Sequence, residues 1–188
     1  MLQDTLALAT QLDLESAASM CETSLAWLLL ADGEVDRALE HAMSSFRRWS
    51  RHRNPLFLGT TRVALAVVHL HLDEPDAARE LLEEAQRDLA THARHHALAR
   101  QLLALVHFLE GDPHAARAAL ERALPLAPDN ALVHAAHVAF QGAIQGDRLG
   151  LEELPSPYRE ALRPLLRGPR SPPTPRRPRD RRRWPTVE

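Results

Sequence analysis

The sequence has no lysine, one cysteine and few aromatic residues, and each shortage narrows the possible folds and functions. All 23 basic residues are arginine, a bias that base composition produces as readily as selection does, so it indicates no function. The lone Cys21 excludes an internal disulfide. Aromatic residues make up 4% of a chain that is 45% hydrophobic. The core must therefore consist mainly of leucine and alanine, which suits close-packed helices better than a sheet.

Export signals and membrane spans are missing as well. The opening residues Leu2-Gln3-Asp4 provide neither a basic start nor an apolar run. No apolar stretch approaches the roughly 20 residues that a spanning helix needs. We therefore expect a cytoplasmic protein that makes no contact with a membrane.

Enzyme motifs are also absent from the sequence. It contains no glycine-rich phosphate loop and no Gly-x-Ser-x-Gly, and Cys21 has no basic residue nearby in sequence to activate it. A small cysteine on a helix rich in alanine and leucine indicates a core position. We predict that the chain is not an enzyme and that it uses no cofactor.

Eleven histidines raise the possibility of a metal site. His92 with His95, and His134 with His137, would each share a helix face and supply two ligands. No acid or cysteine completes either pair at a diagnostic spacing, and no His-Glu-x-x-His occurs. We predict that no metal is bound.

The net charge of -2 hides a strong asymmetry. From Arg167 onward there are eight arginines against Asp180 and Glu188, whereas the rest of the chain is acidic. Proline is frequent after Gly168, so we expect a disordered tail over residues 168–188. Such a tail would attract phosphate without sequence preference, and Trp184 could stack on a base. The candidate nucleic-acid contacts are Arg176, Arg177, Arg179, Arg181, Arg182 and Arg183.

Two other interpretations of the basic residues remain open. The tail could fold back onto the acidic body, or it could be an unselected extension. A second basic cluster, from Arg47 to Arg53, ends a predicted helix, where cations also stabilise the helix dipole.

The clearest structural pattern lies between Arg100 and Asn130. An apolar segment runs to Leu109, Gly111-Asp112-Pro113 predicts a turn, and a second segment rich in alanine follows. Glycine and proline mark the boundaries while apolar residues keep a helical period, so the pattern predicts a helical hairpin.

The hairpin recurs twice upstream at nearly constant spacing. Leu25-Ala26, Leu65-Ala66 and Leu103-Ala104 are separated by 40 and 38 residues, and the same offsets separate a later set of alanines. Within each unit the two alanine positions stand 12 residues apart. The later set is Ala38, Ala78 and Ala116. The constant internal spacing predicts three units, over about residues 19–54, 56–91 and 92–130.

The ends of the array are degenerate. Residues 2–20 predict one amphipathic helix or two short ones broken near Asp13, and they could be half of a repeat whose other half is missing. A fourth unit, over residues 131–167, begins well but meets Gly150, Pro155 and Pro157. We expect a short helix from Pro157 to Leu166 to cap the last hairpin. The helical domain would then span residues 1–167.

This pattern resembles the tetratricopeptide repeat family. The matching positions in the best unit are Leu103-Ala104, Gly111-Asp112, Ala116, Leu120, Ala123-Leu124 and Pro128. The resemblance implies an all-α fold, a right-handed superhelical array of antiparallel helix hairpins, with three clear units and degenerate ends. Repeats of this family usually span about 34 residues, and lengthened units like these resemble those of bacterial regulatory proteins.

The resemblance also implies a binding site. The first helix of each pair would line a concave groove, and function in the family is recognition of a protein or peptide. The groove positions carried over to this chain are Trp27, Leu30, Val63, Val67, Leu70, Leu98, Gln101, Leu105, Phe108 and Leu109, and Met20, Thr23, Thr60 and His71 would complete the same face. The Lys, Asn and Arg that clamp a partner's carboxylate in some relatives are missing from these positions. An open apolar groove instead predicts an apolar guest: a partner's amphipathic helix, the chain's own terminal helix, or a second copy of the chain.

The sequence therefore predicts a non-catalytic module that binds another protein through an apolar groove, in a regulatory context. A homo-oligomer would use the same surface. The alternative is a regulatory protein associated with nucleic acid, which contacts phosphate through its arginine-rich tail.

Overall fold

Helices account for most of the chain in the computed structural model, which describes residues 1–52, 54–145, 149–156 and 158–167. The α-helices, in chain order, are α1 (Leu2–Gln11), α2 (Glu15–Ala31), α3 (Val35–His52), α4 (Pro55–His71), α5 (Pro75–Asp88), α6 (Ala93–Leu109), α7 (Pro113–Glu121), α8 (Ala131–Ile144), α9 (Leu149–Glu152) and α10 (Tyr158–Leu162). Two 3-10 helices cover Leu124–Leu126 and Arg163–Arg167. Among the described residues, no helix is both long enough and apolar enough to cross a bilayer.

The predicted hairpins are confirmed as the pairs α2–α3, α4–α5 and α6–α7. Two residues after the first helix of each pair ends, the chain passes through the left-handed region, with φ of 81° at Gly33, 62° at Asp73 and 84° at Gly111. In the first turn the next backbone N–H, that of Glu34, donates to the Leu29 carbonyl at 2.8 Å, and the other two turns repeat the pattern. This bond satisfies a carbonyl that the end of the helix would leave unpaired.

The alanine positions that revealed the period are all inaccessible to solvent. Because only a methyl group stands between the helices there, their backbones approach closely and larger side chains are excluded. The six residues are Ala26, Ala66, Ala104, Ala38, Ala78 and Ala116, each with 0% exposure. The all-helical repeat architecture is therefore confirmed.

At Asp13 the structure shows the break that the sequence allows as an alternative, and at the end of α7 it differs from the expectation. Residues 2–20 form two helices, with Asp13 between them at a φ of 54°. The helix α7 ends at Glu121, and a 3-10 turn follows because Pro125 cannot donate a helical hydrogen bond. The predicted Gly146-Asp147 turn lies outside the described residues.

The central helix α4 is held close to its partner α5 by a glycine. A Cβ added at Gly59 would lie 2.6 Å from Cγ and 2.9 Å from Cδ2 of Leu89, which is itself fully buried. The missing side chain therefore lets the start of α4 lie against the end of α5.

We expect Gly59→Ala to lower the free energy of unfolding by about 1–2 kcal/mol, because the clash outweighs the gain of about 1 kcal/mol in helix propensity. Urea unfolding of Gly59→Ala, Leu89→Ala and the double variant measures the coupling. The alanine at position 59 should cost much less once Leu89 is truncated. An equal cost in both backgrounds would show that Leu89 does not set the approach of the two helices.

Candidate functional site

The first helices of the three hairpins lie side by side, since α4 contacts both α2 and α6. We call the surface that these three helices form together the first-helix face. The middle helix is the most enclosed, because all residues from 61 to 70 are buried. This enclosure exceeds what packing against one partner helix requires, so α4 is covered on more than its hairpin side.

The predicted groove residues are placed within the chain's own core. Trp27 is half-buried and packs against that core. The other nine are buried, namely Leu30, Val63, Val67, Leu70, Leu98, Gln101, Leu105, Phe108 and Leu109. The expectation of an open apolar surface is therefore corrected, because these side chains are already covered in the isolated chain.

The cover on the first-helix face includes the chain's own terminal segment, by which we mean α9, α10 and the 3-10 helix that follows. Helix α10 contacts α2 and α6, which are the first helices on either side of α4. The 3-10 helix contacts α6 and α8. The sequence predicted the terminal helix as a cap on the last hairpin and also as one possible guest of the groove. In the structure it lies across the array and reaches the first hairpin.

Apolar side chains anchor α10. Tyr158 is 1% exposed, and Ala161 and Leu162 are fully buried. They belong to the same hydrophobic cluster as Leu30 and Val67 of the first-helix face. The spacing of an aromatic residue, a small residue three positions later and a leucine at the fourth matches one face of a helix.

One polar contact fixes the position of α10 against α4. The Nε2 atom of His71 lies 3.0 Å from the backbone carbonyl oxygen of Glu160, so the protonated ring nitrogen donates to it. His71 ends α4, where a first helix turns into its hairpin. The contact bridges residues that lie 89 positions apart in sequence.

Two polar groups of α10 are buried without full compensation. Glu160 is 3% exposed, and its Oε1 accepts from Arg159 Nε at 3.2 Å. Within the described part of the chain, no hydrogen-bond partner reaches Glu160 Oε2, and the Tyr158 hydroxyl is approached by the Arg94 guanidinium without a well-formed hydrogen bond. Burial raises the pKa of Tyr158, although the nearby Arg94 guanidinium favours the phenolate. An unsatisfied buried polar group costs about 1–3 kcal/mol, so the terminal segment is docked at a polar cost.

Gln101 contributes to packing between consecutive units. Its Nε2 donates to the backbone carbonyl of Val133 on α8 at 2.9 Å, and the side chain is inaccessible to solvent. The predicted groove glutamine is thus engaged with the next first helix. A side-chain bond to a backbone group 32 residues away leaves no pattern in the sequence.

The basic residues divide into those that the structure describes and those that it does not. Arg48 is directed towards α2, where it pairs with Glu15 at 2.6 Å and with Glu22 at 3.3 Å. Its charge is therefore engaged within the first hairpin. Arg53 and the tail arginines lie outside the described residues, and these include Arg176, Arg177, Arg179, Arg181, Arg182 and Arg183.

Sequence reasoning did not identify a second apolar surface at the N-terminal end of the array. Large apolar side chains of α1, of α2 and of the turn between them are at least half exposed. They are Leu8, Leu12, Leu14, Met20 and Leu28. The amphipathic pattern of residues 2–20 was the signal that could have located this surface.

Histidines are not gathered into a metal site in the described part of the chain, where no three His, Cys, Asp or Glu side chains come together as ligands. Several histidines are instead packed between helices. Burial lowers the pKa of His69, although Glu74 partly offsets the effect, and burial also lowers the pKa of His137. Both side chains therefore favour the neutral form in the folded chain.

The buried histidines predict a loss of stability on mild acidification. Their folded-state pKa values lie below the ordinary value of 6.5, so the unfolded chain binds more protons than the folded chain. Their contribution is complete above pH 6.5 and is lost as the pH falls through the lowered pKa values. The free energy of unfolding in urea should therefore be lower at pH 5.5 than at pH 7.5.

The double variant His69→Gln/His137→Gln should show a weaker pH dependence over this range. The matched control is His114→Gln, which removes an imidazole from the exposed surface of α7. If the double variant keeps the full pH dependence, the two buried rings are not its source.

Comparison with known families accounts for the repeated hairpins. A tetratricopeptide repeat model matches residues 57–129, which hold α4 to α7, and a second tetratricopeptide repeat model matches residues 20–42. Together the matches cover just over half of the chain. No curated protein and no solved structure matches significantly. Tetratricopeptide repeats are protein interaction modules, and this chain belongs to the tetratricopeptide repeat family.

Proposed function

We propose that the chain is a non-catalytic module that binds a partner protein by accepting a short amphipathic helix on the first-helix face. The observation that carries this proposal is the position of α10. It contacts both α2 and α6 while its apolar side chains are buried. A face that accommodates one short helix of this chain has the width and chemistry to accommodate a similar helix of another protein.

The chemistry of the face supports an apolar guest over an anionic one. Leu30, Val67 and Leu105 supply aliphatic surface, and the predicted groove positions contain no lysine or arginine. A carboxylate or phosphate placed among these aliphatic side chains would lose its hydration without gaining a positive partner there, since the Arg94 guanidinium lies beside the Tyr158 hydroxyl. The expected guest is therefore an amphipathic helix whose aromatic and leucine side chains replace those of α10.

We extend the proposal to a regulatory and cytoplasmic setting. The lengthened repeats resemble those of bacterial regulators, where such arrays sense or dock. The single cysteine, Cys21, is buried and unpaired, which fits a reducing compartment.

Cross-linking tests whether the face accepts a helix. The probe is a peptide with the sequence of residues 149–167 in which a photoreactive benzoylphenylalanine replaces Tyr158. On irradiation with the full chain at high peptide concentration, we expect cross-links to α2 and α6, because α10 lies against these helices. Peptide mapping by mass spectrometry identifies the labelled helix.

The control peptide carries Leu162→Asp in addition, which places a charge where the docked helix is fully buried. Its cross-linking should fall at least about tenfold. Labelling that is equal for both peptides, or that falls mainly on α3, α5 and α7, would contradict the assignment of the first-helix face.

A further inference from the structure

We propose that the terminal segment is a built-in competitor for the first-helix face, and that a partner helix must displace it in order to bind. This inference rests on the proposed function, since it concerns the regulation of the same face. The guest would be a helix with an aromatic residue, a small residue three positions later and a leucine at the fourth. Unlike the terminal segment, the guest would carry no buried acid between the aromatic residue and the small residue.

The first argument concerns overlap. Helix α10 bridges α2 and α6 across α4, so a guest helix on this face would occupy the volume that Tyr158 and Leu162 now fill. Both side chains are inaccessible in the folded chain. Binding of the guest and docking of α10 are therefore mutually exclusive.

The second argument concerns how α10 is held. It is a helix of five residues, too short to be stable by itself in water. It forms only when docked, and docking buries the Glu160 carboxylate with Oε2 left without a described partner. A guest with an apolar side chain at that position avoids this cost, and one with a neutral amide lowers it.

The third argument concerns what remains when α10 leaves. The hairpins α2–α3, α4–α5 and α6–α7 make their extensive contacts with one another. The terminal segment adds the hydrogen bond between His71 and the Glu160 carbonyl, and it contributes a few buried apolar side chains to the edge of the main core cluster, namely Leu151, Leu154, Tyr158, Ala161 and Leu162. The array can therefore stay folded while the segment is released, which is the requirement for a local opening.

Peptide affinity measures the competition directly. Fluorescence anisotropy with a labelled peptide of residues 149–167 is compared between the wild-type chain and the full-length variant Tyr158→Ser/Leu162→Ser. The docked segment acts as a tethered ligand at an effective concentration on the order of millimolar. Because only the open fraction binds, the variant should bind the peptide at least about tenfold more tightly than the wild type.

Glu160→Gln is a matched variant that should change the affinity for the peptide in the opposite direction. It keeps the shape of the side chain and replaces a buried carboxylate by a neutral amide, whose burial costs less, while the ion pair that is lost joins Glu160 to an exposed Arg159. The segment should therefore dock more firmly, and the peptide should bind several-fold more weakly than to the wild type. The expected order of affinities is the double variant, then the wild type, then Glu160→Gln. Circular dichroism checks that all three chains keep their helical content.

Hydrogen exchange of the wild-type chain provides a test that needs no variant. The amides of α10 should exchange at least about a hundredfold faster than those of α4, because they open locally. Exchange of both helices at the same rate would overturn the inference, since the segment would then leave only on global unfolding.

The outcomes separate the two proposals. Equal peptide affinity for the wild type and the double variant would overturn the competition while leaving the first-helix face as a binding surface. Absence of binding to either chain would overturn the proposed function, and the inference with it.

Discussion

The close approach of helix backbones at small residues is the constraint on which the rest of this structure depends. Ala66 of α4 and Ala78 of α5 are inaccessible, and Gly59 leaves no room for even a methyl group against Leu89. When paired helices lie this close, their remaining apolar side chains must point towards neighbouring units. The hairpins therefore stack, and the first helices are brought together on one side.

This arrangement explains why α4 carries apolar residues on all its faces. Its hairpin partner α5 covers one side, while α3 and the flanking first helices α2 and α6 cover others. The remaining surface would be the first-helix face, and α10 lies across it with its carbonyl bound to His71. In the sequence, the excess of apolar residues on α4 indicated an open groove. In the structure, other helices of the chain cover these residues.

The sequence was informative where structure depends on local spacing. The interval of 12 residues between Ala26 and Ala38 is fixed by the length of one hairpin, so it could be predicted from the pattern alone. The docking of α10 could not be predicted in this way. A five-residue helix after Pro155 is too short for a hydrophobic period to show which surface it contacts. The bond between Gln101 and Val133 depends likewise on how two helices are placed, which no single segment encodes.

The first hairpin and the terminal helix are held in place by different chemistry. In the first hairpin the Ser45 hydroxyl donates to the Ser19 carbonyl at 2.9 Å and lies 2.8 Å from the Thr23 hydroxyl, and Arg48 forms ion pairs with two acids of the same hairpin. Such connected and buried hydrogen bonds fix the relative position of α2 and α3.

By contrast, α10 is held mainly by apolar contacts, which are less directional and can be reproduced by another helix of similar shape. The hydroxyl and ion-pair network does not include α10, so release of the terminal segment would leave these bonds intact. The chain thus combines a rigidly fixed first hairpin with a replaceable terminal helix, which is the arrangement that exchange of one helix for another requires.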